Sequence, residues 1–286
     1  MSNGIQLRQN EPNSIAMLAA QRRLYSIAGR NDIINLLLSV VFPLLFSVVH
    51  SISDWWSWMR FLTYGLTLLM ILLSLVLNNS SKKKKKLASS IELEFDTYVF
   101  HMPWELKLFG NRKNLDYDIA CYSRKLLNDE KDRKSLQDWY TPMVDSMPLE
   151  KGILACQREN YHWDTGLRKR YRFAAIVAIC LIVSIVFIIG IAKNEPSQSL
   201  LLKVIFIVPM LKWLFNLVNE LNADIERLKE LDRVMSSIDE KSMEELQIIE
   251  QRITAHRAAA VKVPNIVYQI FKNNDEDKAH RSIEID

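Results

Sequence analysis

The stretch CQRENYHWDTGLRKRYRFAAIVAICLIVSIVFIIGIA, residues 156–192, joins two chemically opposite segments. Its first part is dense in amides, charges and aromatic rings, whereas the twenty residues of 173–192 contain no charge at all. A helix needs roughly 20 apolar residues to cross a bilayer, so 173–192 predicts a transmembrane helix. The fold class therefore depends on whether the rest of the 286-residue chain repeats this pattern.

Three further apolar blocks occur, at 33–49, 61–77 and 200–218. The first two carry no charge, and the last contains only Lys203 and Lys212. All of them reach the range of about 17–25 residues that spans a membrane. We therefore predict an all-α integral membrane protein with four transmembrane helices. The alternative, a soluble protein with four buried helices, is weaker because soluble cores seldom need four such runs.

The distribution of Lys and Arg predicts the orientation of these spans. Segment 78–172 carries nineteen Lys and Arg against fourteen Asp and Glu, a net charge of +5, and four arginines precede the first span. The two loops between paired spans are short and nearly uncharged. We expect a multi-pass protein whose N- and C-termini are cytoplasmic. The mostly polar segment 1–32 has the wrong order for a signal peptide, so we expect the first span to be retained.

The charged segments predict a helical cytoplasmic domain built from 78–172 and the C-terminal tail, 219–286. Lys82–Lys86 opens the domain and is most simply an anchor at the inner leaflet. The tail has a net charge of −5. Its residues Ser242–Glu245 form a capping-box pattern, which predicts a helix with Leu246, Ile249 and Ile253 on one face.

Polar residues also occur inside the apolar blocks. In 33–49, Asn35, Ser39, Pro43 and Ser47 recur every four residues and so share one helical face. Such a face either permits close helix contact or lines a pore, and we favour helix contact. An intramembrane lysine such as Lys212 is a functional candidate, although its position near the cytoplasmic end favours a side chain that reaches the interface.

No catalytic signature is found. The chain contains only seven glycines and has no phosphate-binding glycine loop, no HExxH, no CxxC and no GxSxG. Cys156 and His162 are six residues apart, so on one helix they face different directions and make a poor metal site. We therefore predict no catalytic residue, no metal and no cofactor, and hence a protein that is not an enzyme.

The polar part of the opening stretch predicts one helical face. Its members recur at steps of three or four residues and are Gln157, Asn160, Asp164, Arg168 and Tyr171, with Trp163 beside them. Asp164 and Arg168 form an i,i+4 pair in the favourable order. We expect this face to be buried in the cytoplasmic domain, where its groups satisfy one another or a ligand.

Two uses of this face remain open. Arg168 can bind a phosphate through two guanidinium nitrogens while Trp163 or Tyr171 stacks on a base. Alternatively, the face is a structural clamp that holds the cytoplasmic domain to the span 173–192. In either case a shift of this helix passes directly into that span.

At these residues the chain resembles a known family. CQRENYHWDTGLRKRY is similar to the Q-x-x-N-x-x-W-D-x-x-L-R-x-x-Y signature of the SMODS-associating four-transmembrane effectors. Further similar segments are LAAQRRLYSIAG at 18–29, FDTYVFHMPWE at 95–105, WYTPMVDSMPL at 139–149 and the later VPNIVYQIF. The resemblance covers nearly the whole chain and has the same order of four spans.

The resemblance implies an antiphage effector in the bacterial inner membrane. Such effectors are encoded beside a nucleotide cyclase or synthase, sense its cyclic nucleotide or cyclic oligonucleotide messenger, and disrupt the membrane. It implies no nucleic-acid partner, and we expect a homo-oligomer because four helices enclose little lumen. Whether the messenger triggers or restrains the effector is open. The alternative is a structural membrane scaffold without ligand gating; a membrane-bound hydrolase is opposed by the missing catalytic spacings.

Overall fold

Most of the described residues are helical. The computed structural model describes residues 2–43, 45, 57–192, 197–237 and 242–264, and these ranges contain helices and turns but no strand. The predicted all-α class is therefore confirmed for these ranges.

The helices are numbered here in chain order. They are α1 Ile5–Gln9, α2 Pro12–Leu36, α3 Ser57–Val99, α4 Leu106–Phe109, α5 Asp116–Leu127, α6 Glu130–Lys134, α7 Leu149–Ala192, α8 Ser197–Ser236 and α9 Met243–Ala259. A π-helical turn, Leu37–Val41, follows α2, and a 3-10 turn, Pro142–Ser146, precedes α7.

Local sequence signals explain where several helices begin and end. Pro12 is the first residue of α2, where its missing N–H would have no helical partner. The predicted capping box is confirmed: the Ser242 hydroxyl accepts from the Glu245 backbone N–H, and the Glu245 carboxylate accepts from the Ser242 N–H. Gly110 follows α4 with a backbone φ of 72°, a conformation that residues with a Cβ atom rarely adopt.

Within the described part of the chain, two helices are long and apolar enough to cross a membrane. They are Phe61–Val99 within α3 and Leu149–Ala192, which is α7. Only 6% and 12% of their apolar windows are buried inside the protein, unlike the core helix of a soluble protein. These two helices support membrane association.

The structure does not establish the other two predicted spans. Span 33–49 includes residues 44 and 46–49, which lie outside the described residues. Span 200–218 is helical throughout as part of α8, but the structure does not single it out as a span. The total of four transmembrane helices therefore stays a prediction.

The chain divides into two compact units. The packed unit draws on 1–28, 82–168 and 224–286, and the apolar unit on 29–81 and 169–223. Helices α3, α7 and α8 each contribute residues to both units, because each runs through a boundary between them.

The packed unit has a main hydrophobic core and a smaller hydrophobic cluster that includes Leu24 and Ile91. Tyr140, 1% exposed, belongs to the main core, with its ring centroid 5.4 Å from that of Phe100. The predicted apolar face of α9 is confirmed, since Leu246, Ile249 and Ile253 are all buried in this core. Burial of one such side chain stabilises the fold by about 1.5–3 kcal/mol.

In the apolar unit the structure describes three of the polar residues that were predicted to line a pore or to permit helix contact. The Ser39 hydroxyl donates to the Asn35 carbonyl oxygen at 2.7 Å, so it is satisfied within its own helix. Because Leu37–Val41 is a π-helical turn, Asn35 and Ser39 do not follow the uniform α-helical period that we assumed. Lys212 is exposed, and Ser47 lies outside the described residues. Their roles in a pore or in helix contact stay predictions.

Candidate functional site

The polar part of α7 builds a buried ion-pair network around Arg168. The Arg168 guanidinium contacts Asp224 of α8 at 2.6 Å and Asp164 of its own helix at 3.0 Å. The predicted i,i+4 pair is thus confirmed. Arg168 also donates to the Val261 carbonyl oxygen at 2.9 Å, while the Val261 N–H donates to Asp224 at 2.9 Å. The Arg168 network is defined as these residues with His256.

His256 attaches α9 to the same network. Its Nε2 lies 2.8 Å from the Asp164 carboxylate. Burial alone would raise the pKa of Asp164, but the Arg168 charge and the His256 hydrogen bond hold it well below its usual range. The ionised carboxylate can only accept, so Nε2 carries the proton. His256 Nδ1 is buried and has no hydrogen-bond partner among the described residues.

Gln157 and Asn160 connect the same face of α7 to other elements. The Gln157 amide is fully buried and donates to the Leu246 carbonyl at 3.1 Å and to the Glu250 carboxylate at 3.0 Å. Asn160 donates to the Tyr140 hydroxyl at 3.2 Å. Successive turns of α7 are therefore held by polar contacts, one to α9 and the next to Tyr140, which precedes the 3-10 turn.

A second buried network surrounds Arg257 of α9. Its guanidinium lies 2.7 Å from Asp96, 3.4 Å from Glu92 and 3.7 Å from Glu250. The Tyr140 hydroxyl donates to the other Asp96 oxygen at 2.5 Å. The Arg257 network is defined as these five residues. It holds three carboxylates around one guanidinium, so full ionisation would leave an excess of negative charge in the core.

Proton uptake relieves that excess. Burial, helped by the Asp96 charge, raises the pKa of Glu92 to about 7. Burial and the Asp96 charge also raise the pKa of Glu250 well above its usual range, which favours its neutral form. Burial alone would lower the pKa of Arg257, but the surrounding carboxylates together raise it. Arg257 therefore stays charged, while the raised pKa values of Glu92 and Glu250 favour proton binding by these two carboxylates.

This proton uptake predicts that the free energy of unfolding falls as pH rises from about 4.5 to 7. In that window an unfolded chain loses the Glu92 proton while the folded chain keeps it, so the folded state has bound more protons. The contribution of Glu92 is about 3 kcal/mol, lost progressively across the window. Thermal unfolding of the purified chain in mild detergent, followed by circular dichroism, measures the slope.

The variant Glu92→Gln should flatten this slope, leaving the part that Glu250 contributes. Its control is Glu130→Gln, since the Glu130 side chain is 82% exposed and should leave the slope unchanged. Asp164 does not affect the slope in this pH window. Its pKa is lowered in the folded state, so the stability that it contributes is lost only at more acidic pH. A wild-type slope in Glu92→Gln would show that Glu92 is ionised in the folded core.

The structure places the predicted site residues in two settings. Within the packed unit, Asp164 and Arg168 pair in the Arg168 network, whereas Gln157 and Asn160 contact Glu250 and Tyr140 of the Arg257 network. Trp163 is half-buried in that unit. Tyr171 is half-buried in the apolar unit, where burial and nearby Asp32 raise its pKa to about 12. Their role in binding a ligand stays a prediction.

Several residues of these networks escaped the sequence analysis. They are Glu92, Asp96, Tyr140, Asp224, Glu250, His256 and Arg257. One signal could have found some of them: Leu246, Glu250, Ile253 and Arg257 follow a single three/four spacing, so two charges lie on the apolar face of α9. Charges on a core-facing stripe predict buried partners, because an unpaired buried charge is costly.

Comparison with known proteins decides the family. The model of the SMODS-associating 4TM effector domain matches residues 3–285. The chain belongs to this family. The resemblance seen in the opening stretch is therefore confirmed, and it covers both units of the effector. A search of curated proteins and a search of solved structures give no match.

Family membership fixes the broad role of the protein. The chain carries a membrane-associated effector domain, and the family is associated with SMODS nucleotide synthases. The domain is not a known catalytic fold. Burial raises the pKa of the Cys156 thiol well above its usual range, which disfavours the reactive thiolate. His162 is exposed whereas Cys156 is buried, so these two side chains do not share a site.

Proposed function

We propose that this effector senses a cyclic nucleotide or cyclic oligonucleotide with its packed unit and permeabilises the bacterial inner membrane. In this proposal it has four membrane spans and cytoplasmic termini, acts as a homo-oligomer, and responds to a partner nucleotide synthase. The messenger either triggers or restrains it. Family membership supports the role in antiphage defence.

One structural observation carries the proposal. Each network has charged residues on continuous helices that also contain apolar stretches. Helix α3 contains 61–77 and Asp96, α7 contains 173–192 and Arg168, and α8 contains 200–218 and Asp224. A ligand that rearranges the networks therefore acts directly on these helices, and no flexible linker absorbs the change.

The structure also indicates how a messenger phosphate would compete for Arg168. Arg168 is 6% exposed, and its guanidinium is engaged by Asp164 and Asp224. In our proposal the phosphate replaces Asp224 on the guanidinium, since both offer anionic oxygens to the same planar donor. The paired state and the messenger-bound state are then alternatives, and the messenger shifts the population between them.

This competition predicts opposite effects from two substitutions. Asp224→Asn weakens the competing contact but retains a side-chain acceptor, so it should tighten messenger binding by about tenfold, equivalent to about 1.4 kcal/mol. Arg168→Lys keeps the charge but loses the planar fork, so it should weaken binding. Calorimetry on the purified effector with the synthase product measures both, and Arg227→Lys is the control because Arg227 is 45% exposed.

The cellular test is dye influx into bacteria that express the effector with an active or an inactivated partner synthase. A change in influx between the two strains shows messenger control, and its sign shows whether the messenger triggers or restrains. The buried networks also suit the alternative, a membrane scaffold without gating. Equal influx in both strains, together with no nucleotide binding to the purified protein, would support that scaffold and refute our proposal.

A further inference from the structure

The structure separates the lysines of the run Lys82–Lys86 into two sets, according to whether their side chains contact other residues of the packed unit. The Lys84 ammonium bonds to the Tyr122 hydroxyl and lies 4.6 Å from the centre of the Tyr122 ring. The Lys85 ammonium donates to the Ala260 carbonyl oxygen at 3.3 Å. Both side chains are half-buried and hold α3 to other parts of the packed unit. They are therefore not available to an external partner.

The other three lysines, Lys82, Lys83 and Lys86, are exposed. Their ammonium groups make no ion pair or hydrogen bond with any described residue. At about 100° per residue they lie within an arc of roughly 100° on α3, whereas Lys84 and Lys85 lie outside it. This lysine arc is an unpartnered concentration of positive charge on one side of the helix.

The position of the arc along α3 identifies its partner. The apolar stretch 61–77 ends five residues before Lys82 in the same continuous helix. At 1.5 Å per residue, Lys82 lies about 8 Å beyond the end of that stretch and Lys86 about 14 Å beyond it. The long lysine side chains can reach back toward the lipid phosphates from these depths.

We propose that the lysine arc binds anionic phospholipid headgroups at the membrane surface. A lysine near such a surface contributes about a fivefold gain in lipid affinity. The aromatic side chain that contacts the run, Tyr122, packs on Lys84 and not on the arc. The arc therefore presents positive charge that suits a phosphate. It does not present the Tyr122 ring for stacking on a nucleotide base. The inference requires α3 to cross a membrane and is independent of messenger binding.

The experiment measures lipid selectivity of the full chain. Wild type and variants are reconstituted in nanodiscs of phosphatidylcholine and phosphatidylglycerol, and native mass spectrometry counts the retained lipids. Wild type should enrich phosphatidylglycerol over phosphatidylcholine. The triple variant Lys82→Gln, Lys83→Gln and Lys86→Gln should lower that enrichment at least about fivefold. The control, Lys84→Gln with Lys85→Gln, should keep the enrichment and lower the thermal midpoint.

Two further variants protect the test from folding artefacts. Replacing all three arc lysines with arginine keeps the charge and should keep the enrichment. The single variant Lys83→Gln should show a smaller loss in the same direction, even if the triple glutamine variant inserts poorly. Wild-type enrichment in a correctly inserted triple glutamine variant would overturn the proposal, as would an equal loss in the Lys84 and Lys85 control.

A separate arm distinguishes a lipid from a soluble phosphate. Inorganic pyrophosphate is titrated onto the chain in detergent without phospholipid. We expect no binding that depends on the arc, because the surface is proposed to act within a lipid headgroup layer. Pyrophosphate binding that requires the arc, combined with no phosphatidylglycerol enrichment, would assign the arc to a soluble anion and overturn the lipid proposal.

Discussion

Arg257→Ala is expected to cost about 3–5 kcal/mol of the free energy of unfolding, because it leaves buried carboxylates without their positive partner. Asp96 and Glu250 are each 1% exposed and cannot turn to solvent without opening the core. Part of the cost will be relieved by proton uptake at Glu92 and Glu250, so the loss should be larger at alkaline pH. Chemical unfolding of the purified chain in mild detergent measures the difference.

Arg252→Ala is the matched control, since Arg252 lies on the same helix and is exposed. It should change the free energy of unfolding by less than about 0.5 kcal/mol. A double variant, Arg257→Met with Asp96→Asn, should recover part of the loss, because it removes a buried charge on each side. If Arg257→Ala were no more harmful than Arg252→Ala, the Arg257 network would not stabilise the packed unit.

Arg168→Ala is expected to have the second large effect, also about 3–5 kcal/mol. It leaves Asp224, 1% exposed, and Asp164 without the guanidinium between them, and it removes a donor from the Val261 carbonyl. The same substitution should abolish messenger binding in our proposal. Thermal unfolding therefore has to accompany every binding measurement on this variant.

Arg227→Ala separates the two contributions at Asp224. Arg227 contacts the other oxygen of the same carboxylate but is 45% exposed, so its removal should cost less than about 1 kcal/mol. Equal losses from the two alanine variants would mean that Asp224 needs a counter-charge of any origin, rather than the buried guanidinium of Arg168.

The sequence was sufficient for the all-α class, for the helix that begins after Ser242 and for part of the polar face. Uncharged stretches such as 173–192 and a capping box at Ser242 are local signals, because each depends on residues that are adjacent in the chain. The Asp164–Arg168 pair was predictable for the same reason, since it joins successive turns of one helix. The structure confirms the helix start at Ser242 and this ion pair.

The partners of that face were not predictable, because they come from distant parts of the chain. Asp224 pairs with Arg168 across 56 residues, and Arg257 pairs with Asp96 across 161. Spacing within one helix says which charges face inward, but not which helix brings the opposite charge. The proposed messenger site depends on contacts with a ligand, and the residue spacing within one chain does not reveal such contacts.

The long separation within the Arg257 network also governs the order of events during synthesis. Asp96 leaves the ribosome 161 residues before Arg257, an interval of roughly 10–30 s at elongation rates of about 5–20 residues per second. Until Arg257 emerges, Glu92 and Asp96 have no positive partner from α9 and the core cannot close around them. The packed unit must therefore finish folding after the residues of 61–77, 173–192 and 200–218 have been translated. A nascent effector therefore cannot complete its packed unit before these apolar helical stretches exist.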